Sequence, residues 1–243
     1  MTAPAGPDGT ALAALVAQVS RELRGSLPAP KGAPFFGLDS GLAFSPSVLE
    51  SLSRPGIFRK YELVLLLGGG CGGEARWLAS RLGCHIVDLG SEFDSRLTAS
   101  LLNERAHARD RVAILCGNPL ELPVRGGSFT HVWFVGPPPG DIRIALAEAF
   151  RALRPAGQLA LQLQAPPDSQ ECAAIAAVCQ EVGFEAIDRH PAIPAELPPA
   201  FRLARLRMRR AASERWGRCE SDPWQAAAAP PAVVVQLYAR RPS

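Results

Sequence analysis

The sequence predicts an α/β protein built on a doubly wound, mostly parallel sheet. Three observations carry this. From Tyr61 onward, short apolar runs alternate with runs of helical periodicity, the pattern of repeated β-α units. The first apolar run, ELVLLL at 62–67, has no polar face, as a strand covered on both sides requires. A cluster of glycines, GGGCGG at 68–73, joins that run to an amphipathic helix.

Residues 1–9 are expected to be disordered. Leu12, Leu15, Val16, Val19 and Leu23 follow helical spacing, which predicts an amphipathic helix over 10–24. Residues 25–46 are rich in Pro, Gly and Ser and read as a loop or lid, with a short helix at 46–53. After the first strand, Ala75, Leu78, Ala79 and Leu82 mark one face of a helix, and CHIVDL (84–89) is a second strand. Phe93, Leu97 and Leu101 share a helical face. RVAILC (111–116) and HVWFV (131–135) are the third and fourth strands. Ile142, Leu146, Ala149, Phe150 and Leu153 define a strongly periodic helix, which RPAG ends before a fifth strand, QLALQL (158–163). Cys172, Ile175, Ala176, Cys179 and Val182 give another helix, and FEAID (184–188) a sixth strand. A Pro- and Arg-rich insertion at about 191–231 precedes a last strand, VVVQLYA (233–239). The expected organisation is an N-terminal helix and lid segment over 1–59 and a single domain over 60–243.

Composition bounds the function. At 243 residues and 47% hydrophobic content, the chain can bury one sizeable core. No apolar run reaches 18 residues, so no membrane-spanning helix is expected. MTAPAGPDGT lacks the basic and apolar regions of a secretory signal. The six cysteines form no CxxC pair and have no His at zinc-ligand spacing, so no metal site is expected. Cys71, Cys84 and Cys116 fall in or beside apolar strands, where they would pack as small hydrophobes. Reduced cysteines in such positions imply a cytoplasmic protein.

Gly68, Gly70 and Gly72 form a GxGxG turn after the first strand. Glycine allows a left-handed backbone and a close approach by a ligand. The helix that follows offers unpaired N–H groups and a positive dipole end to an anion. In open α/β sheets such a turn lies beyond the carboxyl ends of the strands, where ligands bind.

Three blocks then share a likeness. They are VLLLGGGCGGEARWLASRLGC (64–84), GNPLELPVRGGSFTHVWF (117–134) and LAEAFRALRPAGQLALQ (146–162). In order and distance they make the chain resemble class I S-adenosylmethionine-dependent methyltransferases of the small-molecule type. The resemblance covers about residues 60–190 and the final strand. It implies a seven-stranded Rossmann-like sheet whose last strand inserts antiparallel beside the fifth. It also implies S-adenosylmethionine as cofactor, bound at Gly68, Gly70 and Gly72, with adenine near Asn118 and Pro119.

The departures from that pattern are specific. Leu66 stands where the family carries an acidic residue two positions before the first glycine. The ribose-gripping acid at the end of the second strand falls on Gly90, with Asp88 and Glu92 two residues to either side. Asn118 replaces the usual Asp near the adenine, and Thr130 the Asp of the phrase SFD. Each carboxylate hydrogen bond to a ligand hydroxyl is worth about 1.5–3 kcal/mol, so uncompensated losses would cost roughly 3–5 kcal/mol, about a thousandfold in affinity. Asp88 is the expected replacement at the ribose, with Glu92 the alternative.

No catalytic residue is assigned. His131 and His85 lie early in their strands, away from the ligand side; His107 sits at a helix end. His190 ends the sixth strand and is the best placed of the four. GPPPG (136–140) reads as a rigid turn before a helix capped by Asp141. FRLARLRMRRAASERWGR (201–218) holds seven Arg and one Glu, and its alternation over 205–209 suggests an extended edge, basic on one side and buried on the other. Such a segment suits an acidic substrate or an acidic protein partner; without an accompanying motif, nucleic acid is not favoured. Two readings stay open: methyl transfer to a small-molecule acceptor, or a catalytically inactive relative acting as a binding or assembly partner through its Arg-rich insertion.

Overall fold

The computed structural model describes residues 8–23, 33–35, 37–39, 46–56, 58–136, 138, 140–163, 165–166, 168–192, 199–216 and 234–243. Most of the expected N-terminal disorder and of the 25–46 lid lies outside these residues. So do parts of the 191–231 insertion.

Seven strands form one sheet in the order β3-β2-β1-β4-β5-β7-β6. They are β1 (Leu63–Leu67), β2 (His85–Gly90), β3 (Val112–Cys116), β4 (Phe129–Phe134), β5 (Leu153–Leu163), β6 (Glu185–Ala192) and β7 (Val234–Arg240). β7 pairs antiparallel with β5 and β6, and the pairs among β1 to β5 are parallel. The order reverses at β1, whose two neighbours are β2 and β4. That reversal opens a crevice at the carboxyl ends of these three strands.

The apolar pattern explains the layers. Along β1, Leu65 and Leu67 face one cluster and Val64 and Leu66 the other, as a period of two demands. The first cluster takes in α5 (Ile142–Ala152) and α6 (Gln170–Val182). The second takes in α2 (Pro46–Ser53) and α3 (Gly73–Leu82). A third joins α1 (Gly9–Glu22), α4 (Phe93–Arg105) and α7 (Pro199–Trp216) through Leu12, Val16, Leu102, Ala204 and Met208. Asp8 caps α1 by accepting from the Ala11 amide at 2.8 Å, and Asp141 caps α5 as its sequence predicts.

Three expectations need correction. The 205–209 alternation does not form an extended edge. It lies within α7, where Phe201, Ala204, Arg205 and Met208 are buried at helical spacing. The arginines at 207 and 209 hid that period. The sixth strand runs on to Ala192 because β7 pairs with it that far, from Glu185↔Arg240 to Ala192↔Val234. The fifth strand begins at Leu153 rather than after RPAG, with Ala156 at φ 60° and a register shift opposite Phe129 and His131.

Candidate functional site

A cavity of about 280 Å³ lies in the crevice. Leu67, Gly68 and Gly70 of the β1–α3 turn line it on one side, and Phe134 and Pro119 on another. Leu89, Gly90, Ser91, Glu92, Ser95 and Arg96 of the β2–α4 corner complete it. Its size is near the lower end for small-molecule sites.

The turn needs its glycines. Gly68, Gly70 and Gly72 have φ of 87°, 51° and 82°, the left-handed region. Gly72 caps α3 with no side-chain hydrogen bond. A Cβ on Gly69 would stand 2.6 Å from Asp88 Oδ1, and one on Gly73 2.5 Å from Asp39 Oδ1. The turn therefore packs closely between two carboxylates, one from β2 and one from the segment after α1.

Both carboxylates are buried and matched by arginines. Asp39 meets Arg76 of α3 at 2.8 Å, with neither side chain exposed. Arg76 also donates to the carbonyls of Cys71 (2.7 Å) and Ala99 (3.1 Å) and to Asn103 Oδ1 (3.0 Å). Asp88 meets Arg96 of α4 at 2.8 Å, off the hydrogen-bond direction. Burial pushes the carboxyls of Asp39 and Asp88 up, and the adjacent guanidiniums oppose it. Arg205 of α7 reaches the Gly37 carbonyl from the other side of the lid segment at 3.3 Å. Burial also pushes the Cys71 thiol up to about 12, which keeps it protonated and unreactive.

The expected site residues separate into two groups. Gly68, Gly70 and Pro119 line the cavity, and Gly72 starts the adjacent helix. Asn118 is exposed, and its Oδ1 accepts from the Leu120 amide at 3.0 Å to close a local turn. Asp88 lies beneath the glycine turn, fully buried, and does not appear among the cavity's lining residues. Its strand register explains this. Asp88 is the Cα partner of Leu66, so the two side chains share a face. Asp88 therefore places a carboxylate one strand over from Leu66, on the same face of the sheet. Glu92 is the carboxylate that lines the cavity, with Ser95 Oγ donating to it at 2.8 Å.

Arg96 was not expected from the sequence. Its side chain is 5% exposed and lines the cavity beside Gly90. A Cβ at Gly90 would stand 3.1 Å from its Nε and 3.2 Å from its Cζ. The guanidinium therefore occupies the space into which a side chain at 90 would project. An arginine six residues past the strand, on a helix, gives no sequence hint of that place.

The histidines lie elsewhere. His131 stacks on Phe58 at 4.5 Å, with Thr130 Oγ1 2.8 Å from its Nδ1, and burial lowers its pKa to about 4. His190 is exposed on β6, the edge strand farthest along the sheet from β2. Cys116 is exposed at the end of β3, unlike the buried Cys84, Cys172 and Cys179. Among the described residues, no group of three His, Cys, Asp or Glu side chains is placed to hold a metal ion, and no helix is long and apolar enough to cross a membrane.

No family model matches the sequence, and no curated protein matches it. Solved structures do match by shape. The [4+2]-cyclase SpnF is 16% identical with a TM-score of 0.66, over 99% of both chains. Phosphoethanolamine N-methyltransferase 2 of Haemonchus contortus, in complex with S-adenosyl-L-methionine, is 18% identical with a TM-score of 0.57, over 97% of this chain and 57% of that one. Geranyl diphosphate C-methyltransferase of Streptomyces coelicolor A3(2) is 14% identical with a TM-score of 0.52, over 81% of this chain and 80% of that one. The likeness is one of fold: the chain has the seven-stranded, Rossmann-like methyltransferase fold.

Proposed function

We propose that this chain binds S-adenosylmethionine in the β1–β2–β4 crevice and transfers its methyl group to a small-molecule acceptor. The observation that carries the reading is the pairing of Glu92 with the glycine turn across one cavity. The turn presents backbone to the ligand. Glu92 presents a carboxylate at the β2–α4 corner, two residues past the position that usually grips the ribose. Pro119 and Phe134 give apolar walls for the base. Two of the fold's neighbours carry methyltransferase names, one of them in complex with S-adenosyl-L-methionine, and these support the assignment. A third is named for a cyclisation, so the fold leaves the reaction to be decided by the site.

Methyl transfer from a sulfonium needs chiefly in-line positioning. The chain's part is to hold the cofactor, exclude water and present the acceptor. The test is equilibrium dialysis of S-adenosylhomocysteine with wild type and Glu92→Gln. Loss of one charge-assisted bond of about 1.5 kcal/mol predicts roughly tenfold weaker binding by the variant. Equal binding by the two proteins removes Glu92 from the site.

A second reading is supported by Leu66 and Arg96. Leu66 is fully buried in an apolar cluster with Trp133 and Leu78, and a cation stands at Gly90. In this reading the fold is a scaffold, and the exposed face of α7, with Arg202, Arg207, Arg210, Leu203 and Leu206, binds an acidic partner. It predicts no S-adenosylmethionine binding at all.

A further inference from the structure

We infer that the same cavity accepts a second ligand class, nucleosides phosphorylated on the ribose, and that these compete with S-adenosylmethionine. The inference rests on the reading of this cavity as a nucleoside site, and it adds a specificity that Arg96 sets.

Three observations at one corner point to it. The chain has no side chain at Gly90, where an acid that accepts from ribose hydroxyls would project. The Arg96 guanidinium fills that space, with Nε 3.1 Å from the position of a Cβ. The Arg96 side chain is only 5% exposed; its Nη1 meets Asp88, and its Nε has no hydrogen-bond partner. A buried donor without an acceptor is costly, and a ligand that brings the acceptor relieves it.

Charge decides what kind of acceptor suits. Asp88 neutralises Arg96 through one nitrogen, at 2.8 Å. The guanidinium is a fork of five N–H donors, and the Asp88 contact at Nη1 leaves Nε, on the other edge, without an acceptor. Phosphate oxygens match that fork bidentately, whereas a hydroxyl offers one weak acceptor. In dinucleotide-binding sheets the same exchange, an acid at the end of the second strand for a nearby arginine, turns preference from a ribose hydroxyl to a ribose phosphate. The opposing charge in the cavity is Glu92, which is exposed and bonded to Ser95. It stands on the strand side of Ser95, and Arg96 follows on the next residue of the helix, so one corner carries both a diol acceptor and an anion receptor. A sugar hydroxyl and a sugar phosphate are thus read by different residues.

The experiment is calorimetric titration at low salt with adenosine, adenosine 2′-phosphate, adenosine 3′-phosphate, inorganic phosphate and S-adenosylhomocysteine, using wild type and Glu92→Gln. One of the two nucleotides is expected to bind wild type at least about tenfold tighter than adenosine, and to displace S-adenosylhomocysteine. Glu92→Gln is expected to tighten that nucleotide further while it weakens S-adenosylhomocysteine. In the double variant Asp88→Asn/Arg96→Gln, which removes both buried charges together, the preference for the phosphate disappears; circular dichroism and melting establish that it is folded. Adenosine and its phosphates binding equally to wild type would overturn the proposal and leave the cofactor reading intact, provided S-adenosylhomocysteine binds. Nucleotides binding while S-adenosylhomocysteine does not would uphold the phosphate specificity set by Arg96 but overturn the competition, and would sink the cofactor reading. Inorganic phosphate binding as tightly as the nucleotides would overturn it by showing an anion site without a nucleoside site. No binding by any probe overturns both.

Discussion

The Asp39–Arg76 pair ties the segment after α1 to the glycine turn, and its removal has a calculable effect. Asp39→Leu leaves the Arg76 guanidinium, 1% exposed, without its counter-charge. Breaking a buried pair from one side costs about 3–5 kcal/mol. Arg76 keeps three other acceptors, at Cys71, Ala99 and Asn103, which places Asp39→Leu toward the lower end of that range. Arg76→Met strands the Asp39 carboxylate and those acceptors together, and belongs at the upper end. For a chain of this length each kcal/mol shifts the melting temperature by about 2–4 °C, so the single variants should melt roughly 6–20 °C lower. The double variant exchanges the pair for apolar volume and should lose far less than the sum, a coupling of about 3 kcal/mol. Urea melts of the four proteins measure this directly. Additive losses, within about 0.5 kcal/mol, would show that the two residues do not act as a pair and that the lid segment is not locked onto the turn.

Other outcomes follow from the same structure. His131 has a pKa near 4, below its ordinary value of 6.5, because its burial penalises the charged ring. Its contribution to stability is full above pH 6.5 and is lost as pH falls toward 4; at about 1.4 kcal/mol per pH unit that is roughly 3 kcal/mol. His131→Phe, which preserves the stack on Phe58, should flatten the pH dependence of denaturant midpoints over that window; an unchanged slope would show that another group causes it. Leu66→Asp reinstates the acid that the methyltransferase pattern carries. It should cost more than about 3 kcal/mol and leave cofactor affinity no better, because position 66 is fully buried beside the Asp88 carboxylate. A gain in affinity would show that Asp88 does not fill that role. Gly69→Ala places a Cβ 2.6 Å from Asp88 Oδ1, so it should both lower the melting temperature and weaken ligand binding; a neutral result would mean that the turn does not rest on Asp88.

The fold was largely legible because its signals are local. ELVLLL lacks a polar face, and a strand buried on both sides needs none, while HVWFV and QLALQL are short apolar runs between helical periods. The reversed last strand was readable only through the likeness of the three blocks, since nothing in VVVQLYA states its direction. α7 was misread because its helical period runs through Arg205, a residue that is buried although charged. Gly68 and Gly70, read from their place after the first strand, line the cavity, and so does Pro119, which was read from the likeness. The buried contact between Asp88 and Arg96 was not legible, because it comes from pairing across the sheet and from α4 folding back on Gly90. Spacing along a chain does not encode such contacts. Glu92 was separable from Asp88 only once the strand's alternation placed one beneath the turn and the other past its end.

Isothermal titration of the folded protein with S-adenosylmethionine and S-adenosylhomocysteine tests the central claim most directly. The proposed function predicts micromolar binding, with the Glu92 carboxylate in the cavity taking the part of the acid absent at Gly90. An absence of heat at millimolar ligand, from protein with a cooperative melt, would contradict the cofactor assignment and leave the sheet as a scaffold for the basic face of α7.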